Sequence, residues 1–459
     1  MKANTLPDGT QLSEFYAEHL NIIKKRHALA LERSASLSSS IGAEHIVIFS
    51  GTQLPVFLDD TYYPFQPNPH FLAWVPIPSP NCYIVYTPNN LPILIYYQEK
   101  DYWHLPPANP EGFWTRHFDI RIVNTLEEVE QHLPANHNDT CSLIGEISDQ
   151  KYSFGIKRIN PKTFLNFLHY NRSVKTSYEL ECMRVASQRA VDGHLAAERA
   201  FRAGKSEFDI HLDYCRSVGH TENQLPYRNI VALNEHAAIL HYQHQSPEKP
   251  NTVKSFLIDA GAQYNGYASD ITRTYAKEQD EFADLIARFD VLQLELVEAV
   301  RSKVDFVELH MLCHYKLAVL LDEIGLAKGS PDTLLETGVT AAFCPHGLGH
   351  LLGIQVHDVG GHQSDDNGSI SKPPDDHPFL RLTRRLEANQ TLTIEPGIYV
   401  IDMLIDNLSG SPGYNLINHD MVGWLREYGG IRIEDNVRVL EHGCENLTRD
   451  AFYSNKNTP

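Results

Sequence analysis

The sequence predicts an α+β protein of two domains: a mixed α/β N-terminal domain over residues 1–170 and a C-terminal domain over residues 171–459, where helices surround an antiparallel sheet. Three observations predict it. A chain of 459 residues with 42% hydrophobic and 21% charged residues is too long for one ordinary domain and has apolar material for two cores. Short β-rich runs fill the first third, whereas amphipathic helices dominate beyond Thr176. Between Ser255 and Tyr275, the segment SFLIDAGAQYNGYASDITRTY places two β-prone arms around Asn265-Gly266, the pattern of an antiparallel hairpin.

In order along the chain, a first helix is expected from Leu12 to about Leu31. Strands follow at His45 to Ser50, Cys82 to Thr87, Pro92 to Tyr97, Ile120 to Val123 and Ser142 to Ile147, with an acidic helical segment at Leu126 to Leu133. The aromatic and acidic stretch FLDDTYYPF, Phe57 to Phe65, reads as a surface loop packed by its own tyrosines. Thr176 and Glu179 form a capping box for a helix ended by Gly204, and Ser206 with Asp209 repeats the start signal. Two further helices carry apolar stripes from Phe282 to Leu296 and from Leu309 to Ile324. Later strands are expected at Asn229 to Asn234, Thr391 to Ile394 and Gly430 to Glu434, while Gln363 to Pro378 and Asp402 to Asn418 read as polar surface excursions.

Composition excludes several roles. A formal charge of -19 argues against nucleic-acid or anionic-membrane binding, which needs clustered Lys and Arg. Seven scattered cysteines without a CxxC pair suggest neither a disulfide framework nor a thiolate zinc site. The first twenty residues have no apolar core of signal-peptide length and no stretch approaches a membrane span, so a cytoplasmic location is expected.

The candidate chemistry begins in the hairpin. With Asn265-Gly266 as the two-residue loop, cross-strand partners sum to 531, which puts Asp259 and Asp270 close together on one face. Two carboxylates so placed repel; either a metal ion lies between them or they are the acidic tip of a solvated hairpin. Downstream, HGLGH at His346 to His350 precedes Val356-His357-Asp358; its two glycines and the missing glutamate make a helical HExxH zinc site a poor reading. In IEPG, Glu395 ends a strand before a Pro-Gly turn, and in IRIED the residues Arg432 and Glu434 alternate with Ile431 and Ile433. Glu395 alone could be a solvated strand end, and Arg432 with Glu434 a surface pair. Together, Asp259, Asp270, His350, Glu395 and Glu434 make an oxygen-rich set whose four carboxylates balance the charge of two divalent ions, most naturally Mn²⁺, with Co²⁺, Zn²⁺ or Fe²⁺ as alternatives. Two such ions could share a bridging hydroxide and polarise a carbonyl, which is hydrolytic chemistry.

These residues and the words DAG, SDITRT, HGLGH, VHDVGG, IEPG and RIED resemble the pita-bread metallopeptidases, the family of methionine aminopeptidase, aminopeptidase P and prolidase. The resemblance covers residues 170 to 440, and the chain length, FLDDTYYPF and PYRNIVALNEHAAILHY, Pro226 to Tyr242, are similar to the bacterial prolidases within it. It implies a C-terminal domain of helices around a curved antiparallel sheet and hydrolysis of Xaa-Pro dipeptides by a metal-bridging hydroxide. By that resemblance Asp270 and Glu434 bridge the metals, Asp259 binds one, His350 and Glu395 bind the other, and Glu395 also shuttles the proton. His357 would donate to the scissile carbonyl or oxyanion, with His241 and Arg432 lining the pocket. Arg381 would hold the substrate's terminal carboxylate, selecting free dipeptides. His346 would form the pocket wall, and Tyr227 and Asp60 would border the substrate. The loop bearing Asp60 would be inserted into the neighbouring active site of a homodimer. Organophosphorus hydrolysis is implied as a side activity; Arg228, where glycine is expected beside Tyr227, would alter the pocket. The alternatives are an aminopeptidase P that acts on longer peptides and a non-catalytic peptide-binding member of the same fold.

Overall fold

The computed structural model describes residues 9–36 and 43–456. A helix at Gly9–Ser36 precedes a six-stranded mixed sheet, ordered Asp119–Val123, Ile93–Tyr97, Tyr83–Tyr86, His45–Phe49, Cys141–Ile144 and Arg158–Ile159. The central strands are apolar on both faces, because both are covered. Ile46, Ile48, Ile84 and Leu94 pack with Tyr16, Leu20 and Ile23 of the first helix, while Val47, Phe49, Val85 and Leu143 pack with Val129 on the other side. The five expected strands lie within a residue or three of their predicted bounds, and the acidic segment is a shorter helix, Leu126–Glu130.

The first core does not stop at residue 170. It also takes in Tyr178, Cys182 and Met183 from the helix Ser177–Arg202, together with Tyr267 and Leu352. His19 of the first helix reaches the cap of that later helix, its Nδ1 lying 2.9 Å from Thr176 Oγ1. The capping box itself is present, Thr176 receiving the Glu179 backbone N–H and Glu179 the Thr176 N–H.

Beyond it, antiparallel pieces form the inner layer: Ile230–Leu233, Ser255–Asp259 and Thr272–Ala276; Thr391–Ile394, Asp435–Val439 and Cys444–Asn446; and Gly397–Tyr399 with Gly430–Arg432. Helices Glu281–Glu298 and Phe306–Glu323 cover one side through Phe282, Phe289, Leu317 and Leu321, packed with Leu392, Ile394, Ile431 and Ile433. Helices Ser177–Arg202 and Glu207–Val218 cover the strand bearing Phe256 and Ile258. The hairpin has the expected register: Tyr267 faces Tyr264 and Thr272 faces Asp259, around a turn in which Asn265 and Gly266 have φ of 51° and 86°. Both φ values belong to the left-handed region a two-residue hairpin turn requires, which is why Asn-Gly stands there.

Two expectations are corrected. Pro396-Gly397 does not reverse the chain; it interrupts the extended course between Thr391–Ile394 and Gly397–Tyr399, since proline lacks the N–H a continuous ladder needs. The segment 402–418 is more than a polar excursion, for it contains the helix Asp402–Asp406 and sends Ile405 and Ile417 into the core.

Candidate active site and metal centre

The sheet pieces meet where Thr272 bridges to Glu434, the Glu434 N–H donating to Thr272 O at 3.1 Å. That junction sets the site. Period-2 alternation sends Ile431 and Ile433 into the core and Arg432 and Glu434 to the opposite face. Glu434 accepts from Thr272 Oγ1 at 2.7 Å. Asp259 ends its strand opposite Thr272 and accepts from Tyr227 Oη and Arg432 Nη2, each at 2.8 Å.

HGLGH is extended, not helical, and runs beside Thr391–Ile394. Thr393 N donates to His350 O at 3.0 Å and Glu395 N to Leu348 O at 2.8 Å. A Cβ on Gly349 would lie 2.0 Å from Thr393 O, so glycine is what allows this approach. It brings His350 Nε2 within 3.4 Å of Asp270 Oδ2 and 3.5 Å of Glu395 Oε1, while His350 Nδ1 lies 3.0 Å from Leu351 O. Donor atoms of Asp270, His350 and Glu434 all lie within 4.8 Å of one another, and all three residues are buried. Asp259 and Glu395 are near enough for their charges to act on Glu434.

The electrostatics show a surplus of negative charge. Burial, with Asp270, Glu395 and Asp259 beside it, pushes Glu434 far above the usual carboxylate range. Burial likewise raises Glu395 to about 7, against the opposing pull of His350. Asp259 is raised by burial despite Arg432. Burial would raise Asp270 too, but the His350 contact overrides it and holds the carboxyl low, and the same contact raises His350 against its burial. Four carboxylates face one guanidinium and one imidazole. Such a donor set, with hard oxygen ligands in excess, fits divalent cations.

The other expected residues divide. His346 is half-buried against Tyr399, Nε2 to Oη at 2.8 Å, and desolvation with the Arg432 charge lowers it to about 4. His357 stands edge-on to His350 with ring centroids 4.4 Å apart. Partial desolvation, with the charges of His350 and Arg381, lowers His357 to about 4 although one side of its ring remains open to solvent. His357, Arg381 and His350 line a cavity of about 410 Å³, with His169 and His362 on its walls. The Arg381 guanidinium has no hydrogen bond or ion pair with the described residues. His241 is exposed at the site's edge, close enough for its charge to reach His346 and His357. Asp60 is not brought to the site of its own chain; it lies in an exposed loop whose Phe57 and Leu58 are 83% and 90% exposed.

Sequence reasoning missed Tyr399, whose hydroxyl also accepts from Arg432 Nη1 at 3.0 Å and so joins His346 to Arg432. Its signal was the alternation in Gly397-Ile398-Tyr399, which turns Tyr399 to the face of the paired Arg432 side chain. It also missed Asp358, which anchors the loop after His357 by accepting from Lys175 Nζ at 2.8 Å and Arg172 Nε at 3.1 Å. No local signal pointed to partners more than 180 residues away.

Comparison with known proteins gives this arrangement its class. The solved structures it resembles include Escherichia coli aminopeptidase P in complex with substrate, with a TM-score of 0.71 at 22% identity over 95% of each chain. The same enzyme with the inhibitor Pro-Leu gives 0.69 at 21% identity, over 93% of this chain and 95% of that one. The fold is therefore the pita-bread fold behind a mixed α/β domain. Residues 181–441 match the model of metallopeptidase family M24, and the chain belongs to that family. Residues 14–170 match the N-terminal domain of Xaa-Pro dipeptidase. Proteins named Xaa-Pro dipeptidase from Shewanella amazonensis and Xanthomonas campestris pv. campestris are each 48% identical, over 96% of this chain and 98% of theirs. One from Pseudoalteromonas haloplanktis is 46% identical, over 96% and 99%.

Proposed function

We propose that this chain hydrolyses Xaa-Pro dipeptides at a metal centre that Asp259, Asp270, His350, Glu395 and Glu434 would hold, a donor set sufficient for two divalent ions. The observation that carries the reading is the convergence of Asp270, His350, Glu395 and Glu434, with Asp259 near enough for its charge to act on Glu434, beside a cavity whose guanidinium, Arg381, has no partner within the described residues. The relatives' printed name supplies the substrate class. Bound ions of the Mn²⁺ type would polarise the scissile carbonyl and supply the nucleophilic water at neutral pH.

The chain's own residues do the rest. Arg381 pairs with the carboxylate of the C-terminal proline, which excludes peptides extended beyond it. Glu395 takes a proton from the attacking water and passes it to the departing proline nitrogen. His357 donates to the developing oxyanion, and its lowered basicity keeps the ring neutral. Arg432, fixed by Asp259, Tyr399 and Thr272, holds Asp259 in place. His241, Tyr227 and His346 complete the pocket, and no stable covalent intermediate forms.

The same proposal includes a division between domains at residues 170 and 171, a cytoplasmic location, and a homodimer in which the exposed Asp60 loop borders the partner's substrate. A slow side activity on organophosphorus esters belongs to it as well. Among the described residues no helix is long and apolar enough to cross a membrane. The test compares Ala-Pro with Gly-Pro-Ala in metal-replete protein. Cleavage of Ala-Pro alone supports the dipeptidase; cleavage of Gly-Pro-Ala at its first bond with Ala-Pro untouched makes it an aminopeptidase P; no cleavage of either leaves a peptide-binding member of the fold.

A further inference from the structure

The helix Phe306–Glu323 carries His310 and His314, four residues apart and therefore on one face. The end of the 363–378 excursion folds back onto that face and places His377 against both. Ring centroids lie 4.6 Å apart for His310 and His314, 4.4 Å for His310 and His377, and 4.3 Å for His314 and His377. One nitrogen from each ring lies within 4.8 Å of the other two.

The burial makes this trio unusual. His310 and His314 are 1% and 0% exposed, and none of their four ring nitrogens has a hydrogen-bond partner. A buried polar group without a partner has lost its hydration with nothing in return, so apolar residues would serve better in a core with no ligand. One nitrogen of each buried ring converges with the third ring instead of meeting a carbonyl. His377 is half-buried and leaves the trio an opening toward solvent.

We infer that His310, His314 and His377 form a separate mononuclear site for one imidazole-preferring divalent ion of the Zn²⁺ class, distinct from the five-donor site. Three imidazoles without a carboxylate select Zn²⁺, Co²⁺, Ni²⁺ or Cu²⁺ over Mn²⁺ or Mg²⁺. A tetrahedral ion at about 2.0–2.1 Å from each nitrogen draws the rings together by small rotations and leaves its fourth position to water. Burial and the neighbouring histidines hold His314 at about 2 and His310 at about 3, so both rings are neutral at physiological pH and no proton competes with the ion. The ion would also clamp the segment that carries Arg381, four residues beyond His377, onto the helix.

The test loads chelator-treated wild type and His377→Ala with Zn²⁺, removes weakly bound ions, and counts zinc per chain by mass spectrometry. Wild type should retain one ion more than the variant, whatever number the five-donor site takes, so the result does not depend on the proposed catalysis. Equal counts overturn the inference. Anomalous scattering at the zinc edge from Zn²⁺-loaded wild-type crystals gives a second reading that needs no variant. A peak among the three imidazoles supports the site, and its absence there overturns it.

Discussion

Replacing Arg381 with methionine keeps the aliphatic stem and removes the guanidinium. Within the described residues that group makes no hydrogen bond or ion pair, so its removal breaks nothing in the free protein, and stability should change by less than about 0.5 kcal/mol. All of its work then lies in the substrate complex. Loss of a charge-assisted pairing with a carboxylate costs about 2–3 kcal/mol, so kcat/KM for Ala-Pro should fall about 30- to 160-fold. The control is Ala-prolinamide, which has the same scissile bond and no carboxylate. Its kcat/KM should change by less than about threefold, or about 0.6 kcal/mol. Proline and prolinamide release measured on both proteins gives the comparison directly. Equal losses on both substrates, or retention of full activity on Ala-Pro, would refute the assignment of Arg381 to the carboxylate.

Three other perturbations test separate parts of the structure. Glu395→Gln should lower kcat about 10²- to 10⁴-fold with an unchanged denaturation midpoint, and a variant of wild-type activity would remove Glu395 from proton transfer. Asp358 is held at about 2 because Arg172 and Lys175 outweigh its burial. Since this lies below the ordinary value of 3.8, the ionised carboxylate stabilises the fold above about pH 4, and that contribution of roughly 2 kcal/mol is lost as pH falls toward 2. Asp358→Asn should therefore flatten the stability profile across that window and destabilise the protein by about 3 kcal/mol at pH 7, and an unaltered acid profile would contradict the ion-pair account. Gly349→Ala puts a methyl 2.0 Å from Thr393 O, so urea denaturation should show a loss of about 1–3 kcal/mol, with activity falling as His350 shifts; a stable, active variant would show that the approach is not needed.

The parts of the structure that were readable in the sequence are those governed by short periods. The hairpin register followed from Asn265-Gly266 alone, because a two-residue loop leaves one pairing, and Thr272 does face Asp259. Alternation in Ile431 to Glu434 sorted core from site, and the Thr176 capping box marked the helix start. What escaped depends on contacts between distant segments. Asp358 is paired with Arg172 across 186 residues, and Tyr399 meets His346 and Arg432 only after three segments have packed. The Pro396 break looked like a turn because Pro-Gly is a turn signal, and only the pairing of Gly397–Tyr399 with Gly430–Arg432 reveals its extended course. His310 and His314 stood in plain view at helical spacing, but their meaning depends on His377, brought to them by a loop that sequence patterning left undefined.

The most direct test of the central claim is proline release from Ala-Pro by chelator-treated protein, with and without restored Mn²⁺. Negligible release from the stripped protein and recovery on adding Mn²⁺ are expected, with two ions per chain retained at the five-donor site. Full activity after complete metal removal, or no release with that site filled, would contradict it.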